Sequence, residues 1–364
     1  MAAFDYAARM ERARAVMAGR GIDVLLLSVG ADLPYFTGYR AMPLERLTML
    51  VLPAGGPATL VVPGLEAPRV APQPEAFALR PWAETEDPVG LVAGLCGSPG
   101  RAAVGDSTWS VFLLALQQRL PRAAFVPAST LTAELRMRKG PEEIDLLRQA
   151  GAAVDRVVDR LDRHPFAGKS ERRLSAEIAA MTVEEGHEAC TFSIVASGPN
   201  GASPHHEAGD RVIGGGDAVV VDFGGRLAGY CSDTTRTFLV GEPPARFLDA
   251  FAAVRAAQQA GVEAAAPGVP AEEVDRAARR VITAAGYGPL FVHRTGHGIG
   301  LEEHEHPYVV EGNSSPLEEG MAFSVEPGVY LPGEFGVRIE DVVVVTAGGA
   351  ERLNHSSRDL HRVG

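Results

Sequence analysis

The chain has 364 residues, 46% hydrophobic and 22% charged, which suits two domains with substantial cores and excludes a disordered polymer. Its formal charge of −12, from 46 acidic and 34 basic residues, speaks against nucleic acid as a partner. No apolar run is long enough to span a bilayer, and the N-terminus lacks the basic-then-apolar order of a secretory signal, so a cytoplasmic chain with no membrane partner is expected.

Three cysteines, Cys96, Cys190 and Cys231, form no CxxC pair. They suit a reducing compartment, argue against a cysteine-based zinc site and read as buried thiols. Residues 5–20 read as a helix, with Tyr6, Met10, Ala13 and Met17 on one face and Gly21 as its stop. Strands are predicted over 23–28, 47–52 and 58–62, the last two joined by the turn sequence Pro53-Ala54-Gly55-Gly56-Pro57. A strand over 101–105 and a helix over 107–119 continue an alternating α/β pattern to about residue 130.

Polar and turn-forming residues recur over 121–141, and the domain boundary is placed there, giving domains 1–130 and 131–364. Pro141 opens a long helix to about Leu161, with Glu142 and Glu143 in its first turn. Its apolar stripe is Ile144, Leu147, Val154, Val158 and Leu161, and Gly151 within it marks a close contact. A helix over 170–184 and strands near 191–196, 217–223 and 236–240 follow. Helices over 245–264 and 269–284 and strands near 321–326 and 336–345 complete an α+β second domain.

Four stretches carry candidate chemistry. Asp222 ends the apolar run Ala218-Val219-Val220-Val221, where a carboxylate is costly to bury without a metal or hydrogen bonds. The glycines that follow permit a reversal that brings Asp233 beside it. In HRTGHGIGLEEHEHP, residues 293–307, Gly296, Gly298 and Gly300 bracket His297 and leave backbone space for a metal or substrate. SVEPG places Glu326, and GVRIED places Arg338 and Glu340, among apolar strand residues, the latter two sharing a strand face by the two-residue period. Singly, each stretch also fits an ordinary turn, mobile loop or salt-bridged edge strand. Together they supply two aspartates, two glutamates and a histidine, a donor set for Mn²⁺, Co²⁺ or Fe²⁺, with Zn²⁺ also compatible. Four carboxylates balance two divalent ions, and such a pair can share a hydroxide and polarise an acyl oxygen.

DFGG…GYCSDTTRTF, HRTGHGIGLEEHEHP, SVEPGVY and GVRIED stand in the order and spacing of the pita-bread metallopeptidases, peptidase family M24. From Arg138-Lys139 to Val345 the chain resembles the group of methionine aminopeptidase, aminopeptidase P and prolidase. The resemblance implies five ligands: Asp222 on one ion, Asp233 and Glu340 bridging, and His297 with Glu326 on the other. None is missing, unlike in the creatinase-like branch, which keeps the fold without the metals. The added N-terminal domain and Tyr35-Phe36-Thr37-Gly38-Tyr39 resemble prolidase and aminopeptidase P, as does the stretch from Ile194 to Asn200 followed by Pro204-His205-His206. The resemblance implies that His205 and His293 position substrate, that His304 stabilises the oxyanion, and that Glu326 moves the proton. Arg338 would organise the acidic cluster or hold the product carboxylate. His206 would support its neighbour, and His306 would back the ligands from outside or lie at the surface. The resemblance thus implies an Xaa-Pro dipeptidase, a hydrolase of short Xaa-Pro peptides, with two Mn²⁺ ions and a homodimer whose N-terminal domain limits the open end of the site. Alternatives are aminopeptidase P, a non-proline aminopeptidase and a non-catalytic binding protein on the same scaffold.

Overall fold

In the computed structural model, which describes residues 4–364, Asp5 caps helix α1 (Tyr6–Arg20) by accepting the Ala8 amide, and Gly21 ends it at φ 61°. The helix buries Met10, Ala13 and Met17. Two compact units follow from the chain's contacts, Met1–Arg136 and Met137–Gly364.

The first unit is built on one sheet. In chain order its elements are β1 (Val24–Leu27), α2 (Asp32–Thr37), β2 (Met49–Pro53), β3 (Ala58–Pro63), β4 (Phe77–Trp82), α3 (Pro88–Cys96), β5 (Arg101–Val104), α4 (Ser110–Arg119), β6 (Ala124–Pro127) and α5 (Ser129–Met137). The strand order is β4-β3-β2-β1-β5-β6, with β1 antiparallel to β2 and parallel to β5. Every residue of β1 is buried, and each of its leucines contributes roughly 1.5–3 kcal/mol by leaving water. The stretch over 121–141, read from sequence as turn-forming, instead holds β6 and all of α5.

The second unit is made of helix pairs laid on sheets. It comprises α6 (Pro141–Leu161), α7 (Glu171–Glu184), β7 (Ala189–Ser197), β8 (Ala218–Leu227), β9 (Tyr230–Cys231), β10 (Thr234–Val240), α8 (Phe247–Ala264) and α9 (Ala271–Ala284). It then continues through β11 (Gly296–Gly298), β12 (Glu305–Val309), β13 (Ala322–Val325), β14 (Gly328–Leu331), β15 (Phe335–Arg338), β16 (Asp341–Thr346), β17 (Gly349–Arg352) and β18 (His361–Val363). Helix α6 starts as its sequence directs: Pro141 occupies the first turn and Glu143 accepts the Gly140 amide at 2.9 Å. Gly151 is a close contact, since a Cβ there would lie 2.4 Å from the Leu353 carbonyl oxygen.

Val154 and Val158 of α6 and Leu174 and Ile178 of α7 pack on Val219, Val221, Phe223 and Phe238 of the sheet β18-β10-β8-β7. Val262 of α8 and Val274 of α9 pack on Phe323, Val325 and Val343 of the sheet β12-β11-β13-β16-β17. Alternation then decides the rest. With Val221 and Phe223 turned to the helices, Asp222 must face the other way, and Ser324 does the same between Phe323 and Val325. An antiparallel bridge between Thr235 and Glu340 ties the two sheets together on that face. Cys231 is buried, but Cys96, at the end of α3, and Cys190, beside a register shift in β7, are only partly so, which corrects the expectation of three buried thiols.

Candidate metal centre

A cavity of about 370 Å³, within the range of small-molecule clefts, opens on the face of the second unit opposite its helices. Asp222, Asp233, His297, Glu326 and Glu340 line it, together with His205, His293, His304 and Arg338. The five candidate ligands and the four other candidate site residues are therefore brought into one cleft from separate strands and loops. Pro204, Phe192, Ile194, Arg294 and Glu303 complete the wall. His306 is exposed and is not among the residues lining the cleft.

Donor atoms of Asp233, His297 and Glu340 lie within 4.8 Å of one another, a spacing that one ion can bridge. His297 Nε2 is 3.2 Å from Glu326 Oε1 and 3.8 Å from Asp233 Oδ2. Its Nδ1 lies 3.1 Å from the Gly298 carbonyl, so the Nδ1 proton is held there and Nε2 faces the acids. Asp222 Oδ2 accepts from Arg338 Nη2 at 2.6 Å, and Glu340 Oε2 accepts from the Thr235 hydroxyl at 2.7 Å. The other oxygens, Asp222 Oδ1 and Glu340 Oε1, are buried without a hydrogen-bond partner among the described residues. An unpaired buried carboxylate oxygen is expensive, and two of them facing one cleft fit divalent cations.

The electrostatics agree. Burial, then the neighbouring Glu340, Asp222 and Glu326, push the Asp233 carboxyl well above its ordinary range. Burial, Glu326 and Asp222 do the same to Glu340. Asp222 is raised chiefly by burial, against the pull of Arg338. Glu326 differs: burial raises it, but the His297 hydrogen bond and the charges of His297, His293 and Arg338 together bring it down to about 2. Carboxyls that resist ionisation in each other's company are what a pair of dications stabilises.

Three details correct the reading from sequence. Asp222 is not at a strand end but inside β8, paired with Ile194 on one side and Thr235 on the other. Arg338 and Glu340 do not share the face of one strand, because the chain leaves one sheet at Arg338 and enters another at Asp341. Buried Arg236 secures that break, donating to Asp341 Oδ1 at 2.7 Å and to the Glu340 carbonyl at 2.5 Å. The glycines around His297 do not leave space for a ligand. A Cβ on Gly296 would stand 1.8 Å from the Ser324 carbonyl oxygen, and one on Gly298 2.2 Å from that of His306. They permit β11 to lie against its neighbours' backbone.

Sequence reasoning missed Tyr330 and Thr235, although both lie inside the quoted motifs. Arg338 Nη1 donates to the Tyr330 hydroxyl at 2.9 Å. That hydroxyl lies 2.7 Å from His293 Nε2, whose Nδ1 is 2.7 Å from the Arg294 carbonyl. His293 must carry its proton on Nδ1 to donate there, so Tyr330 donates to Nε2. Burial lifts the Tyr330 phenol to about 12, keeping it a donor. The signal was a tyrosine two residues beyond a glycine-broken strand end, too common to single out. The His304 ring is 3.8 Å from that of His297. Burial and the His297 charge push its pKa down to about 4.

Residues 145–347 match the model of metallopeptidase family M24, and residues 9–138 match the creatinase/prolidase N-terminal domain. The probable dipeptidase PepE of Mycobacterium tuberculosis is 46% identical over 360 residues, covering 98% of this chain and 96% of that protein. The crystal structure of dipeptidase PepE from Mycobacterium ulcerans superposes with a TM-score of 0.92 at 46% identity, covering 100% of both chains. The recombinant prolidase of Thermococcus sibiricus superposes with a TM-score of 0.94 at 37% identity, again over 100% of each chain. Among the described residues no helix is long and apolar enough to cross a membrane. The chain belongs to metallopeptidase family M24, with a creatinase/prolidase N-terminal domain ahead of a pita-bread catalytic domain that holds a dinuclear metal site.

Proposed function

We propose that the chain is an Xaa-Pro dipeptidase whose two ions are held by Asp222, Asp233, His297, Glu326 and Glu340. The carrying observation is the convergence of four carboxylates and one imidazole on a single cleft, with two buried carboxylate oxygens left unpaired. The five side chains would hold the pair together, Asp222 serving one ion, His297 and Glu326 the other, with Asp233 and Glu340 shared between them. Mn²⁺ is the ion of choice for this oxygen-rich set. When bound, such a pair supplies a water of lowered pKa and polarises the scissile carbonyl.

The protein's own groups do the rest. Glu326 accepts the water proton and passes it to the proline nitrogen. That nitrogen belongs to a tertiary amide, has no hydrogen of its own, and leaves only if a proton is delivered. His304 is neutral near pH 7, with its pKa at about 4. Arg294 Nη2, a donor only, lies 3.4 Å from His304 Nδ1, which leaves the Nε2 proton for the developing oxyanion. His205 and His293 position the substrate, and Arg338 holds Asp222 in its ionised orientation through the 2.6 Å bond. We place the enzyme in the cytoplasm as a homodimer.

The test loads the full chain with Mn²⁺ and compares Gly-Pro, Ala-Pro and Leu-Pro with an Xaa-Pro tripeptide and a Met-Ala-Ser peptide. Hydrolysis confined to the dipeptides is expected. Faster release from the tripeptide would replace the reading with aminopeptidase P, and a metal-loaded chain that cleaves none of these peptides would remove the enzyme reading.

A further inference from the structure

His205 stands on the wall of the cleft, yet among the described residues no hydrogen bond or ion pair holds its side chain. Its place therefore depends on the backbone around it. That backbone, over 197–209, folds around one buried carboxylate. Glu171, in the first turn of α7, is fully buried. Its Oε1 accepts from the Ser197 amide at 2.8 Å, the Ser197 hydroxyl at 2.7 Å and Asn200 Nδ2 at 3.0 Å. Its Oε2 accepts from His206 Nε2 at 2.8 Å, Asn200 Nδ2 at 3.1 Å and the Gly209 amide at 3.2 Å. The donors come from both sides of His205. On its other flank the loop meets β15, where a Cβ on Gly201 would lie 2.8 Å from the Gly336 amide nitrogen. Arg338 Nη1 adds a weaker 3.4 Å contact to the Pro204 carbonyl.

We infer that Glu171 is the positioning residue for His205: its carboxylate ties the segment before His205 to the segment after it and so sets where the imidazole stands in the cleft. A buried anion is stable only when its oxygens are filled with donors, and here the loop itself supplies them. The carboxylate is irreplaceable by its own isostere for the same reason. Glutamine would turn its amide NH₂ toward the backbone N–H of either Ser197 or Gly209, neither of which can accept, and the loop would have to move to relieve the clash. A misplacement of about 1 Å at a positioning group costs on the order of 10²-fold in rate.

This inference rests on the reading of His205 as a substrate-positioning residue, and the experiment separates the two. Metal-loaded full chains carrying Glu171→Gln, His205→Ala and both are compared for kcat/KM on Ala-Pro, with bound metal counted in each. Glu171→Gln is expected to lower kcat/KM on the order of 10²-fold with metal content unchanged, and to add nothing in the His205→Ala background. Asn200→Ala, which removes two of the donors and leaves the carboxylate in place, is expected to give a smaller loss that also vanishes in that background. In parallel, in chains loaded with diamagnetic Zn²⁺, the His205 imidazole resonance, assigned by its absence from His205→Ala, is expected to shift or broaden in Glu171→Gln. A loss that multiplies undiminished in the His205→Ala background, in whichever of the two variants folds, overturns the inference, because the effect is then general. An unshifted His205 resonance in Glu171→Gln and Asn200→Ala overturns it as well. Wild-type activity in His205→Ala removes the role given to His205, and the resonance alone then decides whether Glu171 sets its position.

Discussion

Gly296→Ala tests whether the glycines beside His297 serve the protein's backbone or its ligand. The added Cβ would lie 1.8 Å from the Ser324 carbonyl oxygen, 2.7 Å from its carbon and 3.1 Å from its hydroxyl. A carbon and a carbonyl oxygen rest at about 3.3 Å, so β11 and β13 must separate by about 1.5 Å at this point. Overpacking of this kind costs about 1–3 kcal/mol of stability. The larger effect falls on function. His297 is the next residue, its amide donates to the Ser324 hydroxyl at 3.1 Å, and Glu326 is two residues beyond Ser324. Both move with the strands. A displacement of more than about 1 Å predicts a loss on the order of 10²-fold in kcat/KM together with weaker Mn²⁺ binding by calorimetric titration. Gly214→Ala is the control, since nothing lies within 4 Å of a Cβ there and a change within about 0.5 kcal/mol is expected. Wild-type metal affinity and kcat/KM in Gly296→Ala would refute the reasoning and return the glycines to the role of ligand space.

The buried pair Lys139–Glu305, 2.6 Å apart with side chains 1% and 7% exposed, predicts that Lys139→Met destabilises by about 3–5 kcal/mol in urea unfolding, and that Lys139→Met with Glu305→Gln recovers most of it. Equal costs for the single and double variants would show that the pair is not the cause. Stripping the metal should abolish dipeptide hydrolysis and lower the thermal midpoint. Restoring it at about 100 times its Kd should return about 2.7 kcal/mol, and a midpoint indifferent to the ion would contradict the site. Burial raises the Glu177 carboxyl, but hydrogen bonds from Lys169, His164 and Arg173 outweigh it and hold the group at about 2, below its ordinary 4.5. A depressed folded pKa contributes stability above about pH 4.5 that is lost as pH falls toward 2. The midpoint difference between wild type and Glu177→Gln should therefore be full at about pH 7 and shrink across that window, and a constant difference would exclude the linkage.

Regular elements with strong local signals were legible before the structure. Helix α6 has its proline, its acidic first turn and its stripe, and even the contact at Gly151 followed from a glycine on a buried face. The elements that escaped lack such periodicity. Helix α2 has only six residues and contains Pro34. Strand β4 lies at the sheet edge with only its two ends buried, so neither alternation nor a continuous apolar run marks it. Helix α3 is apolar nearly throughout and carries two glycines, which erases a face.

The metal centre divides in the same way, and the division has a physical cause. Its donors could be named because each stands beside glycines or apolar strand residues where a charge is out of place. Their arrangement could not, because it is made where the regular pattern fails. Asp233 precedes β10, Glu326 follows β13, and Glu340 occupies the gap between β15 and β16. A two-residue period carried across that gap puts Glu340 on the face of Arg338. The chain instead changes sheets there, and Glu340 is oriented by Thr235, 105 residues away, while Arg236 holds its carbonyl. Four carboxylates cannot converge from neighbouring positions of one regular strand, whose same-face residues stand roughly 6–7 Å apart. Bringing their oxygens close enough to share ions takes Asp222 from inside β8, where the period does place it, and the other three from strand ends and breaks in two sheets, which a local period cannot express.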